Sequence, residues 1–157
     1  MRTFSTVEGL PVISLSTGQE SGHVLDLLYK GGCVTGFLID QKGWFNQHLF
    51  LPVSAISSFG QDGLMIEGPW SLIPYTKKEK KWLSLKNGKG RLQGTPLLSK
   101  EGVKLGLLED VYFLEEVGTI VGYEVTDGLV ADLLEGRKVV KSKGSLTIGG
   151  GRAILSD

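Results

Sequence analysis

The feature that most constrains this chain is a pattern stated twice. GLPVIS (residues 9–14) returns as GTPLLS (residues 94–99), so that Gly9 and Pro11 answer to Gly94 and Pro96 at a spacing of 85. GHVLD then matches GLLED, with Gly22 on Gly106 and Asp26 on Asp110 at a spacing of 84. GFLID matches GYEVTD, with Gly36 on Gly122 at a spacing of 86. A fourth, weaker match joins FGQDGLMI (residues 59–66) to IGGGRAIL (residues 148–155). Ordered anchors whose gaps fall in turns indicate a duplicated unit of about 65 residues, because turns tolerate insertion.

The anchors have physical roles. Gly-x-Pro sets a fixed φ just ahead of a short strand, where the missing N–H of proline does little harm. Polar glycine-bearing turns follow. In HVLDLLY the alternation of a strand places Val24, Asp26 and Leu28 on one face and Leu25 and Leu27 on the other. Both faces are largely apolar, as suits a strand between a barrel core and a partner surface. Gly36 and Gly122 lie inside strand patterns, where glycine marks a bulge or a sharp bend. HLFLPVSAI (residues 48–56) reads as one further strand broken by Pro52, and DGLVADLLEGRKVV as a strand pair or one helical turn. The 23 glycines are spread between short apolar runs, a spacing of turns that indicates an all-β sandwich or barrel.

These motifs resemble the PRC-barrel family, in its tandem two-barrel bacterial form. The resemblance is carried by GLPVIS…GHVLDLLY…VTGFLID…FLPVSAISSFGQDGLMI and by GTPLLS…KLGLLEDVYF…GTIVGYEVTDG, and the second copy departs after Asp127, having no Leu-Pro-Val match. It implies an all-β chain of two small antiparallel β-barrels of PRC-barrel type in tandem: copy one over residues 1–70, a linker over 71–90 and copy two over 91–157. It also implies a non-enzymatic protein-interaction or assembly module, since the family is not known for a shared catalytic centre and its members act through protein contacts.

Chemistry is sparse on its own terms. His23 and His48 are not set at ligand spacing and have only Cys33 to join them, so no metal site is expected. Cys33, in the apolar run CVTGFLI, is expected to be a buried small hydrophobe, and a single cysteine agrees with a reducing compartment. Asp26 and Asp110 could be a pair of acids for proton transfer, but equivalent positions in two copies point to one structural job done twice. Gly149, Gly150 and Gly151 lack the strand–loop–helix context of a phosphate cradle. No nucleophile has an identifiable base, so no cofactor and no enzymatic activity are expected.

Charge is segregated although the formal net charge is zero. Residues 76–91 hold seven basic residues and one acid, while residues 92–136 hold nine acids and two lysines. The basic stretch, with Lys77, Lys78, Lys80, Lys81 and Trp82, is read first as a solvated linker. Its alternative is a site for RNA or the ribosome, or for an anionic membrane surface. The favoured partner is a protein, unidentified, anchored by Trp44 and Phe45 in the turn QKGWFNQ; folding back over the core is their other role. No run reaches the roughly 18 apolar residues of a membrane span, and MRTFSTVEGLP has no signal-peptide core, so a cytoplasmic location is expected.

Overall fold

The computed structural model describes residues 1–41, 48–88, 90–127, 136–142 and 146–156. Its strands are β1 (Arg2–Thr3), β2 (Pro11–Ser14), β3 (Glu20–Lys30), β4 (Cys33–Asp40), β5 (His48–Pro52), β6 (Ile56–Phe59), β7 (Leu64–Ile66), β8 (Ile73–Pro74), β9 (Leu83–Ser84), β10 (Pro96–Leu98), β11 (Lys104–Phe113), β12 (Ile120–Thr126), β13 (Lys138–Lys141), β14 (Leu146–Gly149) and β15 (Arg152–Leu155). Short 3-10 turns connect some of them, and no α-helix occurs among the described residues.

The strands form two curled sheets with one topology. The first runs β6-β7-β2-β3-β4-β5-β8 and the second β13-β12-β11-β10-β15-β14. Each strand from β2 to β7 therefore has its counterpart from β10 to β15, and the two final hairpins sit in equivalent places. The pairing is antiparallel except that β7 lies parallel to β2, and β15 to β10. HLFLPVSAI is not one strand: Pro52 ends β5, a 3-10 turn follows over Val53–Ala55, and β6 begins at Ile56. In the second half Lys138–Lys141 is a strand, and residues 128–135 fall outside the described residues.

Plain alternation fails along β3. The register steps from Val24↔Ile39 to Asp26↔Leu38, which leaves Leu25 as a bulge, and Glu109 is bulged in the same way between Leu108 and Asp110. An extra residue in one strand reverses the facing of all that follow it. Val24, Leu27 and Tyr29 therefore share the core, as do Leu108, Val111 and Phe113, while Asp26 and Leu28 turn to the opposite, outer face. The bulge is what lets an aspartate interrupt an apolar strand without entering the core.

The two copies are woven together. β1 pairs with β11, and β9 pairs with β3, so the segment leading into each copy is bound by the other copy's long strand. The inner hairpins also meet, through the bridge Cys33↔Thr119 and two amides, Val34 N–H to Gly118 O at 2.7 Å and Ile120 N–H to Gly32 O at 2.9 Å. A shift of 86 positions maps one of these bonds onto the other, the signature of a local two-fold relation. Gly118 makes the approach possible, with φ +82 and space for no Cβ, which would lie 2.5 Å from the Val34 carbonyl.

One core serves both copies. The Phe37 ring lies 6.3 Å from Phe4 and 6.0 Å from Phe113, and Phe59 lies 6.2 Å from Phe113. A unit of about 65 residues buries only about 60% of its unfolded surface by itself, and a joint core offsets that shortfall. Cys33 does not belong to this core: it is exposed at the start of β4, because the β3–β4 hairpin turns at Gly31 and Gly32 and leaves it at the rim.

Candidate interaction surfaces

Asp26 and Asp110 hold the lead-in segments in place. The Asp110 carboxylate accepts the amides of Phe4 at 2.9 Å, Ser5 at 3.0 Å and Val111 at 2.7 Å. Asp26 accepts those of Lys86 and Asn87 at 3.0 Å and Leu27 at 2.8 Å, with the Asn87 side-chain amide at 2.8 Å. Burial pushes the Asp26 carboxyl above its ordinary range, although these four donors pull the other way. Both aspartates are closed off by chain. Gly9 and Gly94 complete the motif, each in the left-handed region (φ +80 and +84) and each donating its amide across to β3 or β11, to Val24 O and Leu108 O.

The basic stretch is not a free linker between the copies. β8, just ahead of it, pairs with β5, and β9, within it, pairs with β3, so the chain passes as a strap over the outer face of the first sheet. The Glu79 carboxylate accepts the Thr76 hydroxyl and the Thr76 amide, the latter at 2.9 Å, and these bonds hold it below the usual carboxylate range. Trp82 packs on Phe50 with ring centroids 5.1 Å apart. Its ring is thereby engaged in covering the sheet instead of waiting to stack a base. Lys77, Lys78, Lys80 and Lys81 are exposed, and Lys80 Nζ stands 5.7 Å from the Tyr75 ring.

Between strap and sheet lies an open cleft of about 530 Å³, floored by Leu25, Leu38 and Trp82 and rimmed by His48, Lys80 and Lys81. The register β3–β4–β5 brings the two histidines to opposite sides of one carboxylate, His23 Nε2 at 3.4 Å and His48 Nε2 at 3.9 Å from Asp40. Spacing in sequence gave no hint of this, since the convergence depends on cross-strand register alone. Among the described residues no group of three or more histidine, cysteine or acidic side chains could hold a metal ion, and no helix is long and apolar enough to cross a membrane.

Trp44 and Phe45 lie outside the described residues. The described residues that flank this segment include the cross-strand neighbours Asp40 and His48, and His48 lines the cleft. A different tryptophan is displayed in the open. Trp70, in the 3-10 turn Pro69–Ser71, is 69% exposed and lines a second cleft of about 510 Å³ with Glu67, Ile73 and Ile56. Sequence reasoning passed over it, although Gly-Pro-Trp after a strand is the same signal that singled out Gly-Trp-Phe: an aromatic side chain in a turn.

A family model for the PRC-barrel domain matches residues 1–73. The uncharacterized protein YrrD of Bacillus subtilis (strain 168) is 34% identical over 150 residues, an alignment that covers 93% of this chain and 82% of the relative. With the motif of β2, the bulged β3 and the glycine-bent β4 all inside the matched region, the chain belongs to the PRC-barrel family.

Proposed function

We propose that this protein is a non-enzymatic interaction or assembly module of the cytoplasm, built from two PRC barrels of which the second is a divergent copy, and that the turn bearing Trp44 and Phe45 anchors a protein partner. The observation that supports this most is how the other surfaces of copy one are used. Its inner face is spent on the shared core and its outer face lies under the strap, so loop ends and the barrel rim are left for contact. Tryptophan and phenylalanine suit the centre of an interface, which is enriched in aromatic residues.

Replacing both Trp44 and Phe45 by alanine is expected to abolish capture of the partner from cell extract while leaving the melting transition nearly unchanged. Neutral substitutions at Lys77, Lys78, Lys80 and Lys81 are expected to alter capture only slightly. Loss of capture through the lysines alone, with steep salt sensitivity, would reverse the assignment in favour of RNA or an anionic membrane surface.

A further inference from the structure

The first sheet is curled but not closed by hydrogen bonds. β6 and β8 are the two ends of its strand order, and no described strand pairs with the outer edge of β6. Residues 67–73 carry the chain across this seam from the end of β7 to β8, and Trp70 stands in the crossing. Its indole is placed by Gly68: a Cβ there would lie 2.2 Å from the ring, so the ring rests on bare backbone and turns its other face outward. An exposed aromatic side chain fixed in this way loses little freedom when a partner covers it.

The lining of the seam selects the partner's chemistry. Ser54, Ser57 and Ser71 offer hydroxyls beside the indole, Glu67 is the one ionisable side chain among the described residues lining this cleft, and no lysine or arginine lines it. The adjoining cleft along β6 is lined at its far end by Glu116 and by Glu115, the latter already paired with Arg2 at 3.0 Å and with the N-terminal ammonium at 3.2 Å. We propose that this seam docks an extended segment of a protein partner through an arginine, whose guanidinium stacks on Trp70 and pairs with Glu67. Arginine fits better than lysine because its planar group can stack on an indole and bond a carboxylate at once. This site is independent of the Trp44 turn and stands or falls without it.

The test is a titration of the full chain with a capped pentapeptide carrying a central arginine between valines, followed by the Trp70 indole resonance and the amides of Ser54, Ser57 and Ser71. Saturable shifts at low-millimolar peptide are expected. Trp70→Ala should abolish them, and Glu67→Gln should weaken binding about tenfold. Gly68→Ala, which pushes the ring from its seat, should weaken binding while the melting midpoint stays nearly unchanged. The same peptide with glutamate at its centre should not bind. Equal binding of the glutamate peptide, binding retained in Trp70→Ala, no saturable shift at all, or Trp70 shifts that follow protein concentration alone and so reveal a second copy in the seam, would each overturn the proposal.

Discussion

On the outer face of the first sheet Leu25, Leu38 and Phe50 stand where the second sheet has Glu109, Glu124 and Val139. The apolar set is covered. Leu38 is 6% and Phe50 3% exposed beneath the strap, and the edge of β5 is taken up by β8. The polar set is open: Val139 is 52% exposed, Glu124 is paired with Arg137 at 2.9 Å and also accepts the Tyr112 hydroxyl at 3.4 Å, and β13 has no second partner strand among the described residues. One topology thus carries two different outer layers. Fully burying a phenylalanine stabilises by about 1.5–3 kcal/mol, enough to hold a basic strap down on copy one, whereas on copy two Glu124 is paired with Arg137.

The glycines beneath these faces offer the strongest way to break the comparison. Gly36 and Gly122 are equivalent, yet a Cβ at Gly36 would lie 2.6 Å from the Phe50 ring and 2.2 Å from the Leu51 carbonyl, while one at Gly122 would lie 3.0 Å from the Val140 carbonyl. Gly36→Ala is expected to cost about 3 kcal/mol and Gly122→Ala about 1 kcal/mol, the upper and lower parts of the overpacking range, read from denaturant midpoints at unchanged slope. Equal costs would show that the covering ring is not what makes the first position tight.

A smaller effect sharpens the same contrast. Trp82→Ala should cost about 2 kcal/mol, less than a fully buried aromatic because the ring is only half covered. It should also raise hydrogen exchange at Leu83 and Ser84 by loosening β9. Val139→Ala, at the position equivalent to Phe50, should fall within about 0.5 kcal/mol of zero, as exposed substitutions do. If Trp82→Ala leaves both readouts unmoved, the strap is held by Asp26 and backbone pairing alone.

What was legible in the sequence follows from what is local. Gly9-x-Pro11 and Gly94-x-Pro96 could be read because a turn and a strand start need particular residues at those places, and the duplication told which anchors mattered. The bulges at Leu25 and Glu109 could not, because skipping one residue in a register leaves no mark on the composition of a strand, and the facing of Asp26 and Leu28 was misjudged for that reason. The apolar outer face of β3 is visible in the sequence and suggests a partner surface; its cover is instead this chain's own residues 75–88, whose lysines disguise them as solvated linker. Cys33 was placed inside by its neighbours and lies outside by its position at a hairpin tip.

The smallest change concerns a pair where the copies differ by one oxygen. Tyr29 and Phe113 are equivalent, each at the core end of its long strand, facing Val34 and Ile120 across the sheet. Tyr29 is 4% exposed, and its buried hydroxyl has no hydrogen-bond partner, while burial, followed by the nearby Tyr123, pushes its phenol well above the ordinary range. A buried group left unpaired costs about 1–3 kcal/mol, and Phe113 shows that the fold accepts the ring without the oxygen. Tyr29→Phe is therefore expected to stabilise the protein by about 1 kcal/mol, a rise of roughly 3 °C in Tm for a chain of this size. The pH dependence gives a second readout. A phenol whose folded pKa is raised contributes stability that is fully present below the unfolded value, near 10, and is lost as pH rises beyond it. The advantage of the phenylalanine variant should hence be constant up to about pH 9 and grow above about pH 10, by up to about 1.4 kcal/mol per pH unit. A variant that melts earlier than the parent at neutral pH would mean that the Tyr29 hydroxyl is bonded, and that the core of copy one depends on an oxygen copy two does without.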